Sequence, residues 1–333
     1  MPTKLVAFGE VLLRYSAPGR EMLLQTPRLE VVVGGAEANV ATALARLGHD
    51  VELVSAVPSN PLGDATVHEL RGQGIATGNL IRSPGRMGIY YVATGAGRRP
   101  TEITYDRAGS SFATADSSSW DWSTILGRAS HFHLSGITPA LGPKGVENAR
   151  AAIEAARNAG LIVSFDGNFR ASLWALWDGK PAEILRSLVE QADILFGNHR
   201  DIALMLGQDF ESSPERAAAA AFAAFPRLQV MAGTIRNLVD VSHHELSGRI
   251  DTRDGCVQTD PIAVTNIVDR IGAGDAFAAG VLHRWMQEPD AIETAARDGL
   301  ALAVLKHSMP GDACLIRPRD LASFWDNSLE VQR

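Results

Sequence analysis

The chain has 333 residues, of which 46% are hydrophobic and 21% are charged, so it can form one large α/β domain or a domain with a smaller appendage. Its formal net charge of −7 argues against a nucleic-acid partner, because such proteins need a basic face that neutralises phosphates. Two distant cysteines predict buried free thiols, and the lack of a long apolar run predicts a cytoplasmic protein without membrane contact.

Short β-branched or apolar segments alternate with longer amphipathic segments along most of the chain. Strands are predicted at residues 5–8, 51–56, 131–134, 162–166, 194–197 and 229–232. Helices are predicted at residues 38–46, 65–73, 146–159, 181–190, 201–206, 214–225, 275–287 and 291–307. This alternation predicts an α/β fold with a doubly wound, mostly parallel sheet flanked by helices.

Two stretches interrupt this alternation. Residues 14–33 and 86–112 lack helical periodicity and contain glycine, proline and alternating residues. They predict extra antiparallel strands that form a small, discontinuous β lid over a core of residues 1–13, 34–85 and 113–333. The alternative is that these strands are hairpin decorations without a role in closing a site.

The most informative motif is Gly-Ala-Gly-Asp at residues 272–275. Gly272, Ala273 and Gly274 let backbone N–H groups approach an anion closely, and a helix that begins here adds unpaired donors. Asp275 could then accept the proton of an attacking hydroxyl beside that anion. The alternative is a tight turn in which Asp275 only caps the helix.

A second glycine motif lies near the start of the chain. Gly34 and Gly35 permit close backbone approach to a polyol, while Glu37 and Asn39 can present an acceptor and a donor. The order and separation of the two motifs resemble those of the ribokinase or PfkB family of carbohydrate kinases. The resemblance covers essentially the whole chain. It implies a ribokinase-like fold, ATP and Mg²⁺ as cofactors, and Asp275 as the general base beside an anion hole.

Further segments resemble the family members that act on 2-keto-3-deoxygluconate. They lie at residues 132–141, 165–170 and 305–312. The resemblance implies transfer of phosphate from ATP to the terminal hydroxyl of this small-molecule sugar acid. The alternatives are another sugar kinase of the family, acting on 2-keto-3-deoxygalactonate, fructose, ribose or a nucleoside, and a sugar-acid sensor without activity.

A carboxylate substrate calls for guanidinium and phenol groups. Tyr105 and Arg107 are two residues apart in a predicted strand, so both side chains leave the same face, and Tyr90 could join them from the neighbouring strand. Otherwise the tyrosines only stabilise strands and Arg107 is a solvated surface charge. The resemblance adds Ile137 and Arg170 to the substrate-binding residues.

The nucleotide side follows the family pattern less closely. The resemblance implies nucleotide contacts from Asn168, Asn198, Thr234, Arg236, Lys306 and His307. Arg270, where many relatives carry threonine or proline, adds charge beside the anion hole on the nucleotide side. Asp201 stands where relatives carry a glutamate that organises the metal through water, although it could instead cap a helix. Lys306 and His307 could likewise only complement a helix dipole. The need for a monovalent cation is left open. Unpaired edges of the lid strands predict a homo-oligomer.

Overall fold

The computed structural model of the protein describes residues 4–326. The strands of these residues are, in chain order, β1 (Lys4–Phe8), β2 (Leu12–Ser16), β3 (Glu30–Gly34), β4 (Asp50–Pro58), β5 (Leu80–Ser83), β6 (Gly88–Ala93), β7 (Glu102–Asp106), β8 (His131–Ser135), β9 (Ile162–Asp166), β10 (Ile194–Phe196), β11 (Val230–Asp240), β12 (His243–Thr252), β13 (Cys256–Gln258) and β14 (Ile262–Thr265).

The helices cover most of the segments that the sequence predicts as helical. They are α1 (Ala36–Arg46), α2 (Pro61–Gly72), α3 (Trp122–Leu126), α4 (Ile137–Ala140), α5 (Pro143–Asn158), α6 (Ala171–Trp174), α7 (Pro181–Val189), α8 (His199–Leu206), α9 (Pro214–Ala224), α10 (Ala273–Trp285), α11 (Ile292–Lys306) and α12 (Pro318–Phe324). Within residues 4–326, no helix is long and apolar enough to cross a membrane.

The large sheet confirms the predicted doubly wound architecture. Its strand order is β13-β12-β11-β10-β9-β8-β1-β4-β5, with β14 paired to β12, and every pair from β11 to β5 is parallel. Val6 and Phe8 of β1 belong to one buried cluster, whereas Leu5 and Ala7 belong to the other. The central strands are therefore buried on both faces, as expected for a parallel sheet covered by helices.

One edge of the large sheet departs from the sequence prediction. β11 continues to Asp240 and turns into β12, which pairs antiparallel with β11, β13 and β14. The outer half of β11 is exposed and mixes polar with apolar residues, so it lacks the continuous apolar run that marks a central strand. The prediction that both cysteines are buried is wrong for Cys256, which is exposed on β13, while Cys314 is buried.

The two interrupting stretches form a separate sheet of four strands, hereafter the small sheet. Its order is β3-β2-β6-β7. The outer pairs are antiparallel as predicted, but β2 and β6 run parallel because the chain passes through the core between them. Arg14 of β2 lies opposite Tyr90 of β6, which in turn lies opposite Tyr105 of β7.

Candidate active site

A cavity of about 720 Å³ lies between the small sheet and the carboxyl ends of the core strands. Leu12, Tyr90 and Tyr105 line it from the small sheet, and Asp166 and Phe196 line it from β9 and β10. Ligands of parallel α/β sheets gather at this edge, because the loops that follow the strands converge there.

A second cavity of about 570 Å³ adjoins the first. The two share Asn198, Thr234, Arg236, Arg270 and Gly274 as lining residues, so they form one continuous cleft. The start of α10 stands where they meet. The cleft thus has two ends, here named the acceptor end, under the small sheet, and the donor end, beside β11.

The start of α10 presents free backbone donors to the cleft. Gly272 has a φ of 82° and precedes the helix, and a side chain here would collide with the carbonyl oxygen of Asp312. The amide of Ala273 is 3.4 Å from the carbonyl oxygen of Arg270. Among residues 4–326, the amides of Gly272, Gly274 and Asp275 donate no hydrogen bond. These three donors can therefore hold an anion.

Ile271 does not join this group of donors. Its amide donates to Oδ1 of Asp269 at 3.0 Å, so the anion-binding donors begin at Gly272. A side chain at Gly274 would meet no atom within 4 Å, which shows that the middle of the motif faces open space.

Asp275 lies at the junction of the two ends and lines the cleft. Burial raises the pKa of its carboxyl to about 6, a hydrogen bond from Asn39 opposes that rise, and the charge of Asp312 adds to it. Nδ2 of Asn39 donates to Oδ2 of Asp275 at 2.7 Å. A carboxylate with this pKa is ionised at neutral pH and is a stronger proton acceptor than an exposed aspartate.

Two more carboxyl groups line the same wall. Burial raises the pKa of Asp166 to about 8, and the charges of Asp275 and Asp201 add to the rise. Burial also raises the pKa of Asp201, whose Oδ2 accepts the amide hydrogen of Asn198 at 2.8 Å. Asp201 therefore closes the capping box of α8 in addition to lining the cleft. Because Mg²⁺ prefers one or two carboxylates together with water and phosphate oxygens, Asp166 and Asp201 fit that ion.

The substrate-binding residues predicted on the small sheet come together at the acceptor end. Tyr105 and Arg107 both line the cavity, with the guanidinium carbon 5.7 Å from the centre of the Tyr105 ring. Arg107 is buried and donates from Nε to Oε2 of Glu10 at 2.8 Å, and its Nη2 also pairs with Glu10. The side chain is therefore not a solvated surface charge, and Nη1 is the nitrogen left for a ligand.

Tyr90 is also buried at the acceptor end, but its hydroxyl group is already used. It donates to Oδ2 of Asp312, and the two aromatic rings of Tyr90 and Tyr105 lie 5.7 Å apart. Burial and the charge of Asp312 raise the pKa of the Tyr90 phenol. The ring of Tyr90 and one lone pair of its hydroxyl oxygen therefore remain available to a ligand.

Some residues of the N-terminal glycine motif line the cleft, and others pack behind it. Gly35 and Asn39 line the acceptor end. Gly34 packs against the Asp312 carboxylate, and Glu37 accepts the amide hydrogen of Ser135 at 2.8 Å. Gly34 and Glu37 are absent from the cavity lining, and burial raises the pKa of Glu37 to about 7. Glu37 therefore links α1 to β8 through this hydrogen bond in this structure.

Three more predicted residues complete the acceptor end. Ile137 lines the cavity from the start of α4, and Asn168 and Arg170 line it from the loop that follows β9. Arg170 is exposed, and its charge lowers the pKa of Asp166 and Asp275. Asn168 has a positive φ of 37° and donates its amide hydrogen to Asp166 at 2.9 Å.

The donor end is dominated by positive charge. Arg200, Arg236 and Arg270 line it, and none of the three forms a salt bridge within the described part of the chain. Burial and the neighbouring Arg270 lower the pKa of Arg236, which shows that the two guanidinium groups repel each other. Unneutralised arginines that converge on a cavity are suited to a polyanion.

The two residues predicted at the end of α11 separate in the structure. His307 lines the donor end, with its Nδ1 2.6 Å from the carbonyl oxygen of Ala303. Lys306 lines neither cavity, because its ammonium group is fully buried and donates to the carbonyl oxygens of Met309 and Asp269 at 3.1 and 3.4 Å. A ligand in the cleft is therefore out of contact with Lys306 in this structure.

Three site residues escape the sequence analysis. Glu10, Asp312 and Arg200 all line the cleft, and the first two pair with Arg107 and Tyr90 of the acceptor end. Glu10 follows the buried strand β1 directly, which is the position where a carboxylate reaches the ligand edge of a parallel sheet. That signal was available. Asp312 ends the 305–312 segment that resembles the family, but its place in a loop beyond α11 gives no sign of its contacts.

The chain as a whole is similar to known sugar kinases. The pattern of pfkB family carbohydrate kinases matches residues 2–315. A 2-dehydro-3-deoxygalactonokinase of Haloferax volcanii is 34% identical over 324 residues, with 96% of each chain covered. A 2-dehydro-3-deoxygluconokinase of Bacillus subtilis is 28% identical over 329 residues, with 97% of this chain and 96% of that chain covered. The structure of a 2-dehydro-3-deoxygluconokinase from Thermotoga maritima has a TM-score of 0.91 and 32% identity, with 98% and 99% covered.

Proposed function

This chain belongs to the pfkB family of carbohydrate kinases, and on that premise we propose that it phosphorylates the terminal hydroxyl of a six-carbon 2-keto-3-deoxy sugar acid with ATP. The observation that carries the proposal is the position of Asp275. Its carboxylate stands beside three free amides and between a cavity lined by Arg107 and one lined by unpaired arginines.

The acceptor end orients the sugar acid. Nη1 of Arg107 and the hydroxyl of Tyr105 bind its carboxylate, and Arg170 adds positive charge nearby. Because this carboxylate is held under the small sheet, the other end of a six-carbon chain extends toward Asp275. The small sheet acts as a lid that keeps water from the transfer.

At the junction, Asp275 accepts the proton of the terminal hydroxyl while the amides of Gly272, Gly274 and Asp275 donate to the negative oxygens of the phosphoryl group. Arg236 and Arg270 hold the polyphosphate at the donor end, and His307 lines the base-binding part of that end. Asp166 and Asp201 would hold Mg²⁺ through water. When bound, MgATP supplies the phosphoryl group and compensates its charge.

The gluconate and galactonate forms of the substrate differ at one stereocentre. We propose 2-keto-3-deoxygluconate as the first acceptor, in agreement with the name of the Thermotoga maritima relative. The galactonate epimer is the second candidate, because the Haloferax volcanii relative with that name has the higher identity of the two sequence relatives. The stereocentre lies between the bound carboxylate and the terminal hydroxyl, so both epimers can reach Asp275.

The test measures ADP release with MgATP and a panel of acceptors. The panel contains both 2-keto-3-deoxy acids, the neutral sugars fructose and ribose, one nucleoside, and a reaction without acceptor. We expect kcat/KM for one of the two acids to exceed that for any neutral sugar by at least about 10²-fold, because an unpaired Arg107 nitrogen penalises a ligand without a carboxylate. A preference for a neutral sugar would refute the proposal, and lack of turnover with every acceptor would favour a sensor.

A further inference from the structure

A cluster of buried charges lies directly behind the anion-binding amides, between the small sheet and the loops before α10 and after α11. We define it as the Arg14 cluster, which consists of Arg14, Tyr90, Asp269, Lys306 and Asp312. Each of these side chains is at least nine-tenths buried. Two of the five are cations and two are anions, so the cluster is close to neutral when all four charged groups are ionised.

Arg14 connects two loops through one nitrogen atom. Its Nη1 lies 2.6 Å from Oδ2 of Asp269 and 2.8 Å from Oδ1 of Asp312, while its Nε donates to the hydroxyl of Ser16 at 2.7 Å. Arg14 belongs to β2 of the small sheet, whereas both aspartates belong to the core. This pair of contacts therefore joins the small sheet to the core.

Both aspartates shape the anion-binding turn. Oδ1 of Asp269 accepts the amide hydrogen of Ile271, which fixes the turn just before Gly272. Oδ2 of Asp269 also accepts the amide hydrogen of Gly311 at 3.2 Å. This hydrogen bond links the loop before α10 to the loop after α11. The carbonyl of Asp312 lies against Gly272 so closely that a side chain there would be only 1.8 Å from its oxygen. A shift of either aspartate would move the free amides.

The same aspartate reaches the acceptor wall. Oδ2 of Asp312 accepts the hydroxyl hydrogen of Tyr90, whose side chain lines the acceptor end. One residue thus contacts the turn that carries the anion-binding amides through its backbone carbonyl, and the cation of β2 and the phenol of β6 through its carboxylate. Burying such charges costs several kcal/mol of desolvation per ion, so the cluster is an expensive way to gain stability alone.

We propose that Arg14 is a positioning residue, which couples the position of the small sheet to the geometry of the anion-binding amides through Asp269 and Asp312. The inference rests on the proposed function for its kinetic consequences, but the coupling itself belongs to the fold. Arg14 is absent from the lining of the acceptor end, and its Nε and Nη1 are bound to Ser16 and the two aspartates, so it is not placed to bind the sugar acid.

The first test needs no substrate. Hydrogen–deuterium exchange is compared among the wild type, Arg14→Met, Arg14→Lys and Arg28→Met, the last being a control at an exposed arginine of the loop between β2 and β3. In Arg14→Met we expect faster exchange in both β2 and residues 269–273, with β8 and β9 unchanged. The control should match the wild type. Faster exchange in β2 alone, with residues 269–273 unchanged, would overturn the proposal.

The second test uses the kinase reaction. Arg14→Met should lower kcat by at least about 30-fold and change KM for the sugar acid and for ATP by less than about threefold, because the affected donors act on the transferring group. Arg14→Lys should recover at least about a third of the wild-type kcat, since it keeps the charge. A selective rise of KM for the sugar acid would make Arg14 a ligand of the substrate and overturn the proposal. So would a normal kcat.

A pH profile distinguishes an effect of Arg14 on the geometry of the anion-binding amides from an effect on the charge around Asp275. The charged groups that act on Asp275 are Glu37, Asp166, Arg170, Lys306 and Asp312. In Arg14→Met, Asp312 loses its cation, and its negative charge should raise the pKa of Asp275 further. The acidic limb of the kcat/KM profile should therefore move to higher pH. The double variant Arg14→Met/Asp312→Asn should return the limb to the wild-type pH or below, while kcat stays low. Recovery of kcat in this double variant would show that charge alone matters and would overturn the positioning role.

The two proposals fail separately. If the wild type turned over no sugar acid, the proposed function would fail, and the exchange comparison would still decide whether Arg14 couples the two regions. If the wild type is active and the Arg14→Met protein exchanges and turns over like the control, the coupling fails and the kinase assignment stands. If Arg14→Met does not fold, Arg14→Gln decides: wild-type exchange in β2 and residues 269–273 together with a wild-type kcat in that uncharged variant would contradict the coupling.

Discussion

The two ends of the cleft differ in how their charged groups are partnered. At the acceptor end, Arg107 is paired with Glu10 and Tyr90 with Asp312 before any ligand arrives. At the donor end, Arg236 and Arg270 have no carboxylate partner in the part of the chain that the structure describes, and they repel each other. The acceptor end is therefore preorganised to select a shape, whereas the donor end holds unneutralised charge that a polyphosphate would compensate.

Asp275 belongs to neither pattern, since within residues 4–326 its carboxylate is partnered only by the neutral amide of Asn39. This arrangement holds the carboxylate in place without neutralising it. We expect Asp275→Asn to lower kcat by about 10³-fold while KM for both substrates changes little, because only proton acceptance is removed. Steady-state rates in the ADP-release assay give both constants.

The same variant also provides a control for folding. Burial raises the pKa of Asp275, so the folded state holds the ionised carboxylate less well than the unfolded chain does at pH 7. A neutral asparagine removes that cost, and the thermal midpoint of Asp275→Asn should equal or exceed that of the wild type. A lower midpoint together with low activity would mean that the side chain is structural, and the base assignment would be lost.

The acceptor end can be weakened without touching the donor end. Arg107→Met should raise KM for the sugar acid by about 30-fold, the loss expected for a charge-assisted hydrogen bond, and leave KM for ATP unchanged. Arg107→Met leaves Glu10 without its ion-pair partner. The double variant Glu10→Gln/Arg107→Met should therefore show the same rise in KM for the sugar acid with better stability. Arg98→Met, at an exposed position of the small-sheet region, is the matched control. Equal KM values for Arg107→Met and the control would remove Arg107 from substrate binding.

The donor end gives the opposite pattern. Arg236→Met/Arg270→Met should raise KM for ATP by about tenfold and leave KM for the sugar acid within twofold, because the lost attraction acts on the polyphosphate. The double variant should also be at least as stable as the wild type, since the repulsion between the two guanidinium groups is gone. The comparison includes Arg227→Met, an exposed arginine away from the cleft. An effect on the sugar acid alone would reverse the assignment of the two ends.

The pH dependence tests the junction between the ends. Asp275 must be ionised to accept a proton, and burial raises its pKa to about 6, so protonation removes activity as pH falls through that value. With the nucleotide saturated with Mg²⁺, kcat/KM should fall about tenfold between pH 7 and pH 5. Rates across that range check the limb. A flat profile down to pH 5 would exclude a base with this raised pKa.

Much of the fold and part of the cleft could be predicted from the sequence, for physical reasons that differ. The parallel strands are apolar on both faces and separated by amphipathic helices, so their pattern is strong. The free amides of the 272–275 motif follow from local geometry, since glycines before a helix leave the first donors unpaired. Tyr105 and Arg107 share a face because strand residues two apart always do.

What the sequence missed depends on contacts between distant residues. The partners of Arg107 and Tyr90 lie 97 and 222 residues away, at Glu10 and Asp312, and no local pattern indicates these pairings. Lys306 looks like a helix-end cation, yet tertiary packing buries it completely. The outer part of β11 was missed because its exposed residues carry none of the apolar periodicity that marks a buried strand.

The measurement that tests the central claim most directly is the position of the new phosphate. The account holds that the acid end lies under the small sheet and the terminal hydroxyl lies at Asp275. Phosphorus–proton correlation NMR of the product from 2-keto-3-deoxygluconate and MgATP should therefore show a single phosphomonoester on the terminal carbon. Phosphate on an inner hydroxyl, or ADP release at the normal rate with a substrate that lacks the terminal hydroxyl, would contradict it.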